Sequence, residues 1–181
     1  MRLFEDFIPI PEELWSFETG APLQRCAICD CDLLVQGTNY LIEKAFKGNE
    51  VMFEYAMCTK CCVLLSQELS VQSKKLIDHY FDEYGDLEQR RLSYLGQFGT
   101  NYSKWVDRCM VKDTSRSECD EFQVYAWCID RDLVFTGMPY MLSGDCIDDL
   151  LGLLSEETLG ILNDFSDKVF GVDLPQGLLI I

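Results

Sequence analysis

The run Tyr40-Leu41-Ile42-Glu43-Lys44-Ala45-Phe46 alternates well enough for a strand, and Val51-Met52-Phe53-Glu54-Tyr55-Ala56-Met57 answers it. Between them, Lys47-Gly48-Asn49-Glu50 holds a Gly-Asn turn signal, so the two runs predict a β-hairpin. The period then changes. Leu65, Leu69, Leu76, Tyr80 and Tyr84 recur at intervals of 4, 7, 4 and 4, which keeps them on one face of a helix running from Cys61 to about Tyr84 and closed by Gly85. A second helical piece, Leu87 to Phe98, stops near Gly96 and Gly99.

Downstream, residues 100–121 predict one or two short helices with Trp105, Val106, Cys109 and Met110 on the apolar side. Phe122 to Ile129 predicts a strand, with Val124, Ala126 and Cys128 alternating on one face. The apolar run Leu133-Val134-Phe135 predicts its partner, the two meeting at Asp130-Arg131-Asp132. Ser143 and Ser155 are N-cap candidates for helices over Gly144–Leu154 and Glu156–Phe170, with Asp145, Glu156 and Glu157 in first turns where carboxylates complement the dipole. Gly171 closes the last helix and Pro175 prevents its resumption. Upstream, residues 1–25 mix Pro9, Pro11 and Pro22 with Phe4, Phe7, Ile8, Leu14, Trp15 and Phe17, a lead-in expected to pack on the domain.

A faint echo runs through the chain at an offset of 100. Asp30, Asp32, Leu33, Gly37 and Tyr40 align with Asp130, Asp132, Leu133, Gly137 and Tyr140. Leu34, Leu41 and Ile42 fall on Val134, Met141 and Leu142, while Cys26 and Cys29 fall on Ala126 and Ile129. The echo reads either as a degenerate second copy that has lost its metal pairs or as chance similarity.

The strongest chemical signal is a pair of Cys-x-x-Cys motifs, Cys26/Cys29 and Cys58/Cys61, flanking the hairpin. Each motif sets two sulfurs on one side of a tight backbone knuckle, and two knuckles complete the tetrahedral thiolate shell that Zn²⁺ prefers. Knuckle, hairpin, knuckle and helix, in that order, resemble the treble-clef group of four-cysteine zinc domains over residues 22–84. The resemblance implies a structural zinc ion and no single function, since the architecture is widely shared. The expected fold class is α+β: a treble-clef-like zinc unit, then a second hairpin and C-terminal helices. Residues 1–99 form the zinc-binding region with its lead-in, and residues 100–181 a metal-free α+β region packed against it.

Composition narrows the function. The 181 residues are 48% hydrophobic, enough for a packed core, and no apolar run approaches the roughly 18 residues that span a bilayer. Acids at Glu5 and Asp6 interrupt the place of a signal-peptide core, so the expectation is a soluble cytoplasmic protein with reduced thiols. The formal charge of −16 opposes sequence-independent nucleic-acid or anionic-membrane binding, with Lys74, Lys75, Arg90 and Arg91 as the one local concentration of positive charge. His79, the only histidine, stands between Asp78 and Tyr80 and away from the cysteine motifs. A histidine general base on the hairpin is therefore missing, as is a His-x-Glu deaminase signature.

Six cysteines remain. Cys31 and Cys62 adjoin the knuckles and read as spare thiols rather than as part of a two-metal cluster. Cys109, Cys119, Cys128 and Cys146 have no knuckle spacing, so they form a second zinc site only if folding gathers them and otherwise read as buried free thiols; Asp145, Asp148 and Asp149 read as a solvated helix face. The leading expectation is a non-enzymatic protein whose Zn²⁺, held by Cys26, Cys29, Cys58 and Cys61, stabilises an acidic module that binds a protein partner. Two alternatives stand beside it. One is a rubredoxin-like iron electron-transfer protein, although Asp30 and Cys62 follow the pairs where glycine is usual. The other is a redox-switched zinc protein in which Cys31 or Cys62 forms a disulfide with a ligand and ejects the metal.

Overall fold

The structure, a computed structural model, describes residues 6–84 and 86–171. Phe4, Gly85 and Pro175, to which the sequence assigns roles, lie outside the described residues. Among the described residues the fold is α+β, with six strands in one antiparallel sheet and six α-helices.

The hairpin forms where the alternation places it. Strand β2 (Asn39–Lys47) pairs with β3 (Glu50–Cys58), with a bulge between Ala45 and Phe46 and Gly48 at φ 57 in the turn, a backbone region that glycine enters without steric cost. Its other neighbour is distant in sequence. Strand β4 (Glu121–Ile129) runs antiparallel to β2 over nine residue pairs, from Asn39↔Ile129 to Lys47↔Glu121, with Ile42 opposite Ala126 at the centre. Strand β1 (Phe7–Pro9) pairs with β5 (Asp132–Val134), and β5 and β6 (Tyr140–Ser143) share the remaining edge of β4.

Because β2 and β4 are central and covered on both faces, they are buried almost continuously, even at Glu43, Lys44 and Gln123. The Glu43 carboxylate accepts a hydrogen bond from the Tyr55 hydroxyl. Lys44 donates to the Trp15 carbonyl at 2.6 Å and pairs with Glu54 at 2.8 Å. These polar positions keep the strand alternation visible in the sequence although little of it is solvent-exposed.

Helix α1 (Thr59–Glu68) packs on β2 and β3, then breaks at Leu69 and Ser70 before α2 (Val71–Tyr84). The single helix expected from Cys61 to Tyr84 is thus two. The Ser70 hydroxyl accepts the Ser73 amide at 3.1 Å and so starts α2 afresh, an N-cap that the continuous apolar spacing conceals. Helix α3 (Leu87–Phe98) is capped by Asp86, whose carboxylate accepts from the Glu88 and Gln89 amides. The 100–121 stretch contains the short helix α4 (Tyr102–Trp105) and a 3-10 turn at Arg116–Glu118, with Trp105, Val106 and Cys109 buried.

Two C-terminal helices follow as expected. Helix α5 (Gly144–Leu153) packs on β4 and β6, and α6 (Glu156–Phe170) sets Phe165 and Phe170 against Tyr55. Ser155 caps α6 through the Thr158 amide, and Gly171, left-handed at φ 69, closes it. Ser143 occupies the N-cap position of α5 but sends its hydroxyl to Cys109 Sγ at 3.4 Å.

The lead-in covers the opposite side of the sheet. Leu14 is fully buried and Trp15 is anchored by its indole N–H to the Ile10 carbonyl at 3.0 Å, whereas Phe17 is 76% exposed, against the expectation that it packs. Arg116 forks onto Glu13 at 2.8 and 3.0 Å and stacks on Phe46 and Phe122. The supposed basic cluster is largely engaged in structure. Arg90 donates to the carbonyls of Gly137, Pro139 and Trp105 and stacks on Tyr94, Arg91 donates to the Phe135 carbonyl, and Lys74 donates to the Ser66 carbonyl. His79 is exposed and lies 3.4 Å from Glu83, the surface position expected of it.

Candidate metal centre

The first knuckle is a loop locked by its own backbone. The Cys26 amide donates to the Cys31 carbonyl at 3.0 Å and the Asp30 amide returns to the Cys26 carbonyl at 2.9 Å. Asp30 takes a left-handed φ of 57, which aspartate tolerates better than most residues. The Arg25 guanidinium donates to the Asp30 carbonyl at 3.1 Å and closes the loop. The Ala27 amide then ties it to β3 through the Ala56 carbonyl at 2.9 Å.

The second pair arrives on a different element. Cys58 ends β3 and is the N-cap of α1, and Cys61 lies in the first turn of that helix. The sulfurs of Cys26, Cys29, Cys58 and Cys61 all lie within 4.8 Å of one another. Cys29 and Cys58 stand 3.8 Å apart, and the Cys58 amide donates to Cys26 Sγ at 3.4 Å. With Zn–S bonds of about 2.3 Å, an ideal tetrahedron separates its sulfurs by about 3.8 Å, so the geometry fits a four-thiolate ion. Cys26, Cys58 and Cys61 are buried and Cys29 is at the rim.

The electrostatics also fit a cation. The Cys31 amide, outweighing burial and aided by neighbouring thiols, lowers the Cys29 thiol to about 6, while burial and contacts with Cys29, Cys58 and Cys26 push Cys61 well above the ordinary thiol range. The four sulfurs are so close that ionising one opposes ionising the next. A divalent cation removes that opposition and releases the protons. Four thiolates around such an ion leave no position for a reactive water.

Cys31 and Cys62 stay outside this group of four. Burial raises each thiol to about 12, and Cys62 donates to the Met57 carbonyl at 3.5 Å. Asp149, read from sequence as solvated, pairs with Lys112 at 2.7 Å and accepts from the Tyr80 hydroxyl at 3.3 Å.

Sequence reasoning misses the second set of cysteine contacts. Cys109 and Cys146 are buried, and Cys109 Sγ accepts from the amides of Lys112 at 3.4 Å and Ser143 at 3.3 Å. A signal for them does exist, because Arg25-Cys26-x-x-x-Asp30 recurs as Arg108-Cys109-x-x-x-Asp113. Among the described residues no helix is long and apolar enough to cross a membrane. Comparison with protein-family models, with curated proteins and with solved structures returns no match to this chain.

Proposed function

We propose that this chain is a non-enzymatic zinc protein in which Cys26, Cys29, Cys58 and Cys61 hold one structural Zn²⁺ in a treble-clef-type unit, presenting an acidic surface to a protein partner. The observation that carries the reading is the group of four sulfurs within 4.8 Å, contributed by a knuckle and a helix start, with no histidine or carboxylate among them. A full thiolate set suits structure rather than hydrolysis, which requires an open position and a general base. The metal's contribution is large, on the order of 10 kcal/mol of apparent binding free energy in small zinc-finger peptides.

Beside the site, exposed Leu64 on α1 joins Ile28, Leu65, Ile161 and Phe165 in lining a cleft of about 280 Å³ edged by Glu68, Asp164 and Lys168. Apolar centre and charged rim are the chemistry of a protein contact. The charge of −16 makes nucleic acid a poor partner, and the engagement of Arg90 and Arg91 with backbone carbonyls leaves little local compensation.

Elemental analysis of the purified chain tests the reading. One zinc per chain is the expected result. A coloured, iron-loaded protein from zinc-replete culture would favour electron transfer, and a metal-free folded protein would end the zinc reading. Gel-shift with mixed duplex and single-stranded probes should show no binding at physiological salt.

A further inference from the structure

The hydrogen-bond pattern of the first knuckle occurs twice. The Cys109 amide donates to the Thr114 carbonyl at 2.8 Å and the Asp113 amide to the Cys109 carbonyl at 2.9 Å, with Asp113 left-handed at φ 55. These are the contacts of Cys26, Cys31 and Asp30 displaced by 83 positions. Isolated bridges flank both loops, Arg25↔Asp32 and Arg108↔Ser115. Arg108 closes the second loop on the Asp113 carbonyl as Arg25 closes the first on that of Asp30.

The same correspondence extends beyond the loops. The Met110 amide donates to the Met141 carbonyl at 2.8 Å, as Ala27 does to Ala56, and the Ser143 amide donates to Cys109 Sγ at 3.3 Å, as Cys58 does to Cys26. Helices α1 and α2 break at Leu69 and Ser70; α5 and α6 break at Leu154 and Ser155, an offset of 85. There the contacts are reciprocal. The Ser70 amide donates to Thr158 Oγ1 at 3.0 Å and the Ser155 amide to Ser73 Oγ at 2.9 Å. Finally, β2 and β4 pair antiparallel about Ile42 and Ala126, which are 84 positions apart, as a local two-fold axis through that pair requires. The recurrence therefore runs at 83 to 85 positions rather than at the 100 suggested by the sequence, and it matches β2 to β4 rather than to β6.

Under this correspondence Cys26, Cys29, Cys58 and Cys61 fall on Cys109, Lys112, Ser143 and Cys146. Two thiols remain and two ligand positions have changed. Cys109 Sγ accepts from the Lys112 amide, the Ser143 amide and the Ser143 hydroxyl, and Tyr80 donates to Cys146 Sγ at 3.6 Å. Lys112, at the exposed position matching Cys29, turns its ammonium to Asp149. A buried sulfur that accepts three hydrogen bonds is thus held where the first unit gathers four sulfurs.

We propose that residues 108–171 are a second copy of the metal unit of residues 25–84, and that Cys109, Lys112, Ser143 and Cys146 mark a latent four-ligand site for a thiophilic divalent cation. Thiols at positions 112 and 143 complete it. The inference rests on the first four cysteines holding metal, and the test separates the two ideas by reading both sites in one titration.

The full chain, stripped of metal under reducing conditions, is titrated with cobalt(II) and then zinc, following the sulfur-to-cobalt absorption of tetrahedral thiolate sites. Wild type takes up one tight equivalent; none would overturn the reading of the first site. Lys112→Cys/Ser143→Cys takes up a second equivalent with the same four-sulfur spectrum, while the control Lys104→Cys/Ser117→Cys, with equally many thiols, stays at one. A folded double variant that also stays at one overturns the inference. If the double variant folds only when metal is added, with a second equivalent bound, that supports the inference. If it folds under neither condition, Lys112→Cys alone decides. A second, weaker cobalt equivalent supports the latent site, and its absence in folded protein overturns it.

Discussion

The hydroxyl oxygens of Ser70 and Ser155 lie 3.0 Å apart, each at the junction of two helices and each also bonded to the residue three positions on. Ser73 and Thr158 complete the network by accepting the opposite junction's amide, so four side chains satisfy two helix starts at once. Ser73→Ala should leave the Ser155 amide without its acceptor, and Ser155→Ala should remove the cap of α6. Each is expected to cost about 1–2 kcal/mol in urea unfolding. The double variant should cost less than the two singles combined, because they share one network.

The ion pair between Glu13 and Arg116 predicts a loss of stability in acid. Burial alone would raise the Glu13 carboxyl, but the Arg116 fork and the Tyr102 hydroxyl outweigh it and hold the group below its ordinary value. A carboxyl depressed in the folded state stabilises fully above its unfolded value, about 4.3, and that stabilisation is lost as pH falls through the lower folded value. The difference in melting temperature between wild type and Glu13→Gln should therefore be present at pH 7 and shrink below about pH 4.

Arg90 links α3 to three backbone carbonyls around Trp105 and the 137–139 turn. Arg90→Met should strip those carbonyls of their donor and destabilise by about 3 kcal/mol. Arg90→Lys should recover less than half, since a point charge cannot reproduce the planar fork or its stacking on Tyr94. Chemical denaturation of both variants checks the order.

Metal content should separate the cysteines. Cys58→Ser removes a sulfur of the group of four and should abolish stoichiometric zinc, lowering the cooperativity of thermal unfolding. Cys146→Ser lies outside that group and should retain one zinc. Equal loss in both variants would contradict the ligand assignment.

Fragments divided between residues 99 and 100 should not fold separately. The cut leaves β2 without β4 along nine residue pairs and exposes Leu41, Ile42, Val124 and Ala126. Even with zinc present, the 1–99 fragment should aggregate or show a broad transition in calorimetry, whereas mixing the fragments should restore a sharper one.

The sequence makes the hairpin and the first metal group legible because both are local: a turn signal fixes β2 against β3, and Cys-x-x-Cys spacing fixes each knuckle. The α1–α2 break was hidden because Leu65, Leu69, Leu76 and Tyr80 continue one apolar spacing through Ser70, with no glycine or proline to mark the junction. The β2–β4 pairing left no periodic trace, since alternation along a strand says which face is covered but not which strand lies beside it. Arg90 and Arg91 read as a surface charge cluster because their partners are carbonyls far along the chain. The recurring Arg-Cys-x-x-x-Asp string is readable, but Lys112 stands where the first string has Cys29, and this masks it.

The pairing of β2 with β4 about Ile42 and Ala126 has a consequence in mass action. Two separate copies of one unit, meeting through the same strand, would be a dimer whose folding depended on protein concentration. Joined in one chain, the units meet at a fixed effective concentration, so the melting temperature should not change on dilution. Under the proposed duplication, joining the units also frees each from having to serve as both halves of the interface: one would keep four sulfurs, while the other would be at liberty to replace two of them without altering its partner.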